Sequence, residues 1–389
     1  MTSLAAVKNI LAHLVSFDTT SRGSNLPMIE WMEAFLAPLG AELVRTPNAE
    51  GNKTNLWARF GPDKSGGIVL SGHTDVVPVD GQPWTSDPWQ LKEANGNWYA
   101  RGATDMKGFI ALALAHAEAI SKSPLNMPIH FAFSYDEEVG CAGVEPMIAE
   151  IGRRGAAPSM VWVGEPTLWG VTSGHKGIRD YEVRITGKAA HSSDPRMGAS
   201  AIHEAIDLLA ILRRIAGEQE EKAPKASDFD PSWTTITVGE IGGGTAPNIL
   251  ARECRFVFDV RTAPGDDADA MLAPFLAAVE RAHERLRTLG PECGVVVDMR
   301  ADAPPLQVMR DSPAELFMRA LTGDNALRVA AFATEAGQFQ RAGFPAVICG
   351  PGSVEQAHQP DEFVAVSEME KGLAVFRRFL GVLASGNPP

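Results

Sequence analysis

The sequence predicts an α/β domain interrupted by an inserted α+β unit, and three observations carry that expectation. Short apolar runs alternate with helical patterns over the first part of the chain. The texture then shifts to period-two alternation, and near the end it returns to helix, strand and helix. From Ala5 to about Gly40 apolar residues recur at helical spacing. Then "TNLWARF", "GGIVLSG", "PIHFAFSY" and "MVWVG" read as short buried strands, separated by the helical stretches "GFIALALAHAEAI" and "VEPMIAEIG". Strands alternating with helices predict a largely parallel sheet. After "SGHKG", the runs "RDYEVRITG", "WTTITVGEI", "ARECRFVFDVRT" and "GVVVDMR" alternate as half-buried strands do. Two amphipathic helices, "ASAIHEAIDLLAILRRI" and "ADAMLAPFLAAVERAHERLRTL", interleave with them. The order β-α-β-β-α-β is ferredoxin-like. The tail supplies the helix "SPAELFMRALTG", the strand "PAVICG" and the closing helix "VSEMEKGLAVFRRFLGVLA". The predicted organisation is therefore an outer domain of residues 1–178 and 303–389 with an insertion at 179–302.

Composition narrows the function classes. A chain of 389 residues, 45% of them hydrophobic, can fill two cores. No apolar run approaches the roughly 18 residues of a membrane span, and "GFIALALAHAEAI" is broken by His116 and Glu118. The N-terminal stretch lacks a basic region, a continuous apolar core and a small-residue cleavage site. A cytoplasmic protein without a membrane partner is expected. The four cysteines are scattered without a CxxC pair, which suggests neither a disulfide framework nor a thiolate zinc site. With 48 acids against 35 bases the net charge is −13, which argues against nucleic-acid binding.

The residues that call for chemistry share one placement. His73 and Asp75 follow "GGIVLSG", the triplet Asp136, Glu137 and Glu138 follows "PIHFAFSY", and Glu165 follows "MVWVG". His358 lies a short loop after "PAVICG", and Asp105 sits in the loop "RGATDMKG" before a helix. In an open α/β sheet, ligands bind at the carboxyl ends of the strands. Any one of these could be a solvated loop residue. Together they form an imidazole and carboxylate set without thiolate, suited to zinc, cobalt or manganese in a hydrolytic site, with carboxylates able to bridge two ions. Strand alternation separates Glu137 from Glu138. If Glu138 faces a metal, Glu137 faces the substrate side and can act on water. The same alternation lets Asp75 share a side with His73 and orient its ring. His13, His116, His203 and His283 fall in helical patterns as surface or boundary residues, and His130 belongs to its strand. Competing motifs lack context: "GEIGGGTAPN" joins two strands, and there is neither a G-x-S-x-G elbow nor an HExxH. A carboxylate-only glycosidase leaves the two histidines unexplained.

The motifs "GHTDVVP", "ARGATDMKG", "DEEVG", "GEPT", "AHSSDP" and "GPGSVEQAHQPDE" resemble those of the two-zinc aminoacylase and carboxypeptidase family, over nearly the whole chain. The resemblance implies a zinc-exopeptidase-like, three-layer catalytic domain with an inserted ferredoxin-like lid that also dimerises. It implies two divalent ions per chain, zinc with cobalt able to substitute. His73 and Glu165 would bind one ion, Glu138 and His358 the other, and Asp105 would bridge them beside a cis Asp105–Met106 peptide. Asp75 would orient His73, and Glu137 would be general base and acid. His191 and Asn248 would reach the oxyanion across a homodimer, while Arg261 and Lys176 match positions that bind the substrate carboxylate. Asp136 needs no metal role and is expected to hydrogen-bond structurally. The implied substrate is a small N-acyl amino acid. "TEAGQFQ" and "GHKG" point to hydrolysis of N2-acetyl-L-ornithine to L-ornithine and acetate, with other N-acyl amino acids, including N-succinyl compounds, and dipeptides as alternatives. A catalytically silent binding module is the rival of another class, and the intact Glu137 argues against it.

Overall fold

The computed structural model describes residues 2–155 and 157–385. The chain divides into two compact units. One runs to Gly174 and takes in Leu306–Val329 and the chain from Thr334 onward; the other is His175–Pro305 with Ala330–Ala333. The sequence placed the breaks at 178 and 303. The second unit instead begins at His175, because Lys176 already donates its backbone N–H to Ala330 within it.

The first unit is built on an eight-stranded sheet. In spatial order its strands are Glu42–Pro47, Thr54–Phe60, Ile129–Ser134, Ile68–His73, Met160–Val163, Ala346–Ile348, Thr172–His175 and Arg328–Ala330. The four strands from Ile129–Ser134 to Ala346–Ile348 are parallel, whereas Glu42–Pro47, Thr54–Phe60 and Thr172–His175 pair antiparallel. The expectation of a largely parallel sheet thus holds only for the centre. A short turn closed by Asn48 N–H to Lys53 O at 3.0 Å joins the first two strands, and so short a link permits only an antiparallel pair.

Residues on successive strand positions point to opposite faces, and here both faces are covered. Leu70, Phe131, Phe133, Met160 and Trp162 pack with residues of the helices Leu4–Val15, Leu26–Leu36, Lys107–Ser121 and Val366–Ser385. Val69, Ala132, Val161 and Val163 pack with Met147, Ile148 and Ile151 of Glu145–Arg153 and Phe339 of Ala336–Arg341. The result is three layers, with a near-continuous apolar run in each parallel strand because each is buried on both sides. His116 is not the surface or boundary residue its helical pattern suggested. It is 2% exposed, stacked on Phe376 at 4.7 Å, with Nδ1 hydrogen-bonded to Leu112 O at 2.8 Å. It is a satisfied core histidine, and burial lowers its pKa.

The second unit has a four-stranded antiparallel sheet in the order Thr235–Gly243, Glu253–Thr262, Gly177–Thr186, Gly294–Ala303. With the helices Ala201–Glu221 and Ala268–Arg287 this is the ferredoxin-like arrangement. Val183, Ile185, Phe256, Phe258 and Val260 line one face and pack on Leu208, Leu212, Leu272 and Phe275 of the helices. The opposite face carries the alternate residues, where Glu182 pairs with Arg184, Arg255 and Arg300. All four cysteines are buried and free. Among the described residues, no helix is long and apolar enough to cross a membrane.

Candidate metal centre

The carboxyl ends of the central parallel strands bring the first group of residues together. His73 closes its strand in register with Ser134, and Glu165 follows Met160–Val163. Asp105 reaches the same place from the loop before Lys107–Ser121, where the Asp105–Met106 peptide is cis. Gly72 eases the approach: a Cβ there would lie 2.9 Å from Met106 Cε and crowd the side chain that lies against the strand. The His73 N–H donates to Met106 Sδ at 3.3 Å. On the ring, Nδ1 is 2.9 Å from the backbone carbonyl of Asp75, which can only accept. Nδ1 therefore carries a proton, and Nε2 is the ring atom left to face the carboxylates. Nε2 lies 2.9 Å from Asp105 Oδ1 and 3.6 Å from Glu165 Oε1.

Asp75 meets His73 chiefly through its backbone, and its carboxylate has further partners. Its carbonyl, not its carboxylate, holds His73; the carboxylate stands 3.7 Å from Nδ1. Oδ1 accepts the Glu137 N–H at 3.1 Å, and Oδ2 accepts the Glu138 N–H at 3.2 Å and the Ser21 hydroxyl at 2.7 Å. The acidic triplet is likewise not an extension of its strand, which ends at Ser134. Asp136 has φ +58° and starts a turn closed by Cys141 N–H to Glu137 O at 2.7 Å. Glu137 and Glu138 are thus separated by a turn pinned to Asp75, not by strand pleating. Asp136 faces away to Lys53, with Nζ to Oδ1 at 2.5 Å.

Asp105 lies between the two histidines. Its Oδ2 is 3.3 Å from His358 Nε2, which is 2.9 Å from Glu138 Oε2. Ligand atoms of His73, Glu137 and Glu165 lie within 4.8 Å of one another, as do those of His73, Asp105 and Glu138. The electrostatics match a site for cations. Burial pushes the Glu138 carboxyl up to about 7, with Asp105 adding repulsion, and holds Glu137 and Glu165 well above the usual carboxylate range. His73 rises well above its usual value although burial opposes it, because Glu165 and Asp105 outweigh the desolvation. Hydrogen bonds to Asp105 and Glu138 lift His358 to about 10. Four carboxylates and two imidazoles facing one another, without thiolate, are a donor set for borderline divalent ions.

Two buried acids at the site escaped the reading of the sequence. Glu362 accepts backbone N–H groups from Gly102, Thr104 and Asp105 and pairs with Arg101. Its only mark in the sequence is the acid that closes "HQPDE". Glu335, in "TEAG", is 1% exposed, and burial raises its carboxyl to about 7; it adds to the repulsion on Glu137. Cys141 Sγ is 3.4 Å from Glu137 Oε1.

The remaining expected site residues belong to the second unit. His191 and Asn248 are neighbours there: Ser192 N–H donates to Asn248 O at 3.0 Å, and His191 bridges to Ile249. Both are exposed, and His191 Nδ1 shares a hydrogen bond with Ser193 Oγ at 2.8 Å. Arg261, on Glu253–Thr262, has Nε on Asp259 at 2.6 Å. Lys176 links the strands Thr172–His175 and Gly177–Thr186. It is 1% exposed, and its ammonium donates to Trp233 O at 2.7 Å.

The comparisons with known proteins agree with this architecture. The model of peptidase family M20/M25/M40 matches residues 69–381. The chain is 36% identical to the acetylornithine deacetylase of Myxococcus xanthus, covering 99% of each chain. It is 35% identical to the acetylornithine deacetylase of Proteus mirabilis (strain HI4320), covering 91% of this chain and 89% of that one. Among solved structures, an M20 family metallo-carboxypeptidase from Sulfolobus solfataricus superposes with a TM-score of 0.75 at 16% identity, covering 97% of this chain and 99% of that one. Sequence match over most of the chain and a shared fold lead to one conclusion: the chain belongs to peptidase family M20/M25/M40 and is a hydrolase.

Proposed function

We propose that the chain is a metal-dependent amidohydrolase that cleaves N2-acetyl-L-ornithine to L-ornithine and acetate. The observation that carries the reaction class is Asp105 set between His73 and His358, with Glu165 and Glu138 on either side. The substrate rests on likeness to relatives named acetylornithine deacetylase along almost the whole chain. On this reading His73 and Glu165 would hold one divalent ion, His358 and Glu138 a second, with Asp105 between them able to serve either. Zinc suits the donors, and cobalt shares their geometry. When bound, such a pair supplies Lewis acidity that lowers the pKa of water from about 15.7 to about 7 and polarises a carbonyl oxygen.

The chain's own residues do the rest. Glu137 takes a proton from the attacking water and returns it to the departing amine, as its raised pKa and its place beside His73 and Glu165 suit. Asp75 holds the backbone that aims Glu137, and the Asp75 carbonyl keeps the His73 proton on Nδ1. His191 and Asn248 are assigned to the tetrahedral oxyanion and Arg261 to the substrate carboxylate. Lys176 shares that assignment, although its ammonium is engaged by Trp233. The first unit is the catalytic domain and the second a lid through which a homodimer forms.

A panel of N-acetyl, N-succinyl and dipeptide substrates, assayed with added zinc or cobalt, tests the proposal. The highest kcat/KM is expected on N2-acetyl-L-ornithine. A preference of tenfold or more for another acyl amino acid overturns the substrate; no metal-dependent hydrolysis of any of them overturns the reaction.

A further inference from the structure

The buried pair Arg101 and Glu362 lies outside the proposed ligand set, yet its hydrogen bonds lead to two of the ligands. Both residues are within 1% of full burial, and the ion pair closes at 2.6 Å. A buried salt bridge is weak evidence for stability, since desolvation offsets most of the attraction. What distinguishes this one is where its remaining valences go. Glu362 Oε1 accepts the N–H groups of Thr104 at 2.9 Å and Asp105 at 3.0 Å, and Oε2 accepts that of Gly102 at 3.1 Å. One carboxylate thus fixes the loop that presents Asp105.

Arg101 extends the same network to the other loop. Its Nη2 donates to Gln82 Oε1 at 2.6 Å, and Gln82 Nε2 donates to the backbone carbonyl of His358 at 2.9 Å. Nη1 also reaches the Gln359 carbonyl at 3.4 Å, and the guanidinium lies 5.1 Å from the centroid of Trp84. The planar fork of arginine can serve two acceptors in fixed directions, which a lysine cannot do. His358 needs such a tether: its φ is +65°, its side chain is half exposed, and it stands on a loop.

We infer that Glu362, Arg101 and Gln82 are positioning residues that set the distance between Asp105 and His358 and so build the site for the second ion. The inference rests on the metal reading above and deepens it. Glu362 acts on Asp105, the shared ligand, so its loss weakens both ions. Gln82 bonds the His358 backbone directly and reaches Asp105 only at one remove, through Arg101 and Glu362, so its loss weakens chiefly the ion that His358 would hold.

The test is equilibrium dialysis with zinc, followed by metal analysis, together with cobalt titration monitored by visible absorption. The proteins are the wild type, Glu362→Gln and Gln82→Ala, with Phe258→Leu in the second unit's core as a control for lost stability. Gln82→Ala leaves the buried ion pair intact, so it remains informative if Glu362→Gln does not fold. Two ions per wild-type chain are expected. Glu362→Gln should weaken both by about 10–100-fold, the usual range for partners that orient ligands. Gln82→Ala should produce one cobalt phase weakened more than the other, with the control unchanged at an equal or larger drop in Tm. Wild-type affinities in Gln82→Ala, or an equal loss in the control, overturn the positioning role and leave the proposed function standing. A wild type that holds no divalent ion overturns both.

Discussion

Replacing Asp75 with Asn separates two accounts of this residue that the sequence motif alone cannot. If the carboxylate served to orient His73, the substitution would empty the metal site. The structure assigns that task to the Asp75 carbonyl, 2.9 Å from Nδ1, which asparagine keeps. The carboxylate instead receives the N–H groups of Glu137 and Glu138, one on each oxygen, and the Ser21 hydroxyl. An asparagine amide has one acceptor oxygen. It can satisfy one of the two N–H groups, while its NH2 confronts the other. One buried donor left unpaired costs about 1–3 kcal/mol. The turn then relaxes away from its anchor, and a displacement of about 1 Å at a reacting group costs on the order of 10² in rate. The expected result for Asp75→Asn is a stability loss near 2 kcal/mol in urea unfolding of the metal-free protein. It should come with a roughly 100-fold lower kcat and two ions still bound by metal analysis. Metal content that falls in parallel with kcat would refute the reasoning and restore the carboxylate as the guide of His73.

Other outcomes follow from the same geometry. Glu137→Ala should lower kcat by about 10²–10⁴ while metal content stays at two per chain if, as proposed, it transfers the proton; unchanged turnover would remove it from the mechanism. Metal affinity should fall with acid. In the metal-free site Glu138 is held up to about 7 and His358 to about 10, so both must lose protons to bind. The apparent affinity should drop by about 100-fold per unit below pH 7, where both protons are displaced, and by about tenfold per unit between 7 and 9, where only that of His358 is, as measured by chelator competition; a flat profile would contradict the ligand assignment. Lys53→Met strands Asp136, whose side chain is 17% exposed. A loss of about 3 kcal/mol is expected in unfolding, partly recovered in the double variant Lys53→Met/Asp136→Asn, with no recovery counting against the pair.

Much of the site could be read from the sequence because strand ends in an α/β sheet are visible as the close of an apolar run. His73, Glu165 and the triplet after "PIHFAFSY" all stand at such closes, and the structure brings His73, Asp105, Glu137, Glu138, Glu165 and His358 together. A residue whose environment is set by the chain far away carries no such local mark. His116 has a helical pattern like any boundary histidine, and only the Phe376 ring reveals it as core. Glu362 is one acid among many in the sequence until the Asp105 loop closes on it from 257 residues earlier. Asp75 and His73 sit at i and i+2, which suggests a pair of side chains, but a backbone carbonyl took the hydrogen bond first.

By itself, then, the sequence determined which residue types gather at the sheet's carboxyl edge and that a ferredoxin-like unit interrupts the chain, since both depend on local periodicity. Tertiary structure decided which carboxylate faces the histidines, which holds backbone and which answers a lysine. Spacing does not encode these roles. They depend on a turn at Asp136, a carbonyl at Asp75 and an ion pair at Arg101 and Glu362, each defined only when distant segments meet.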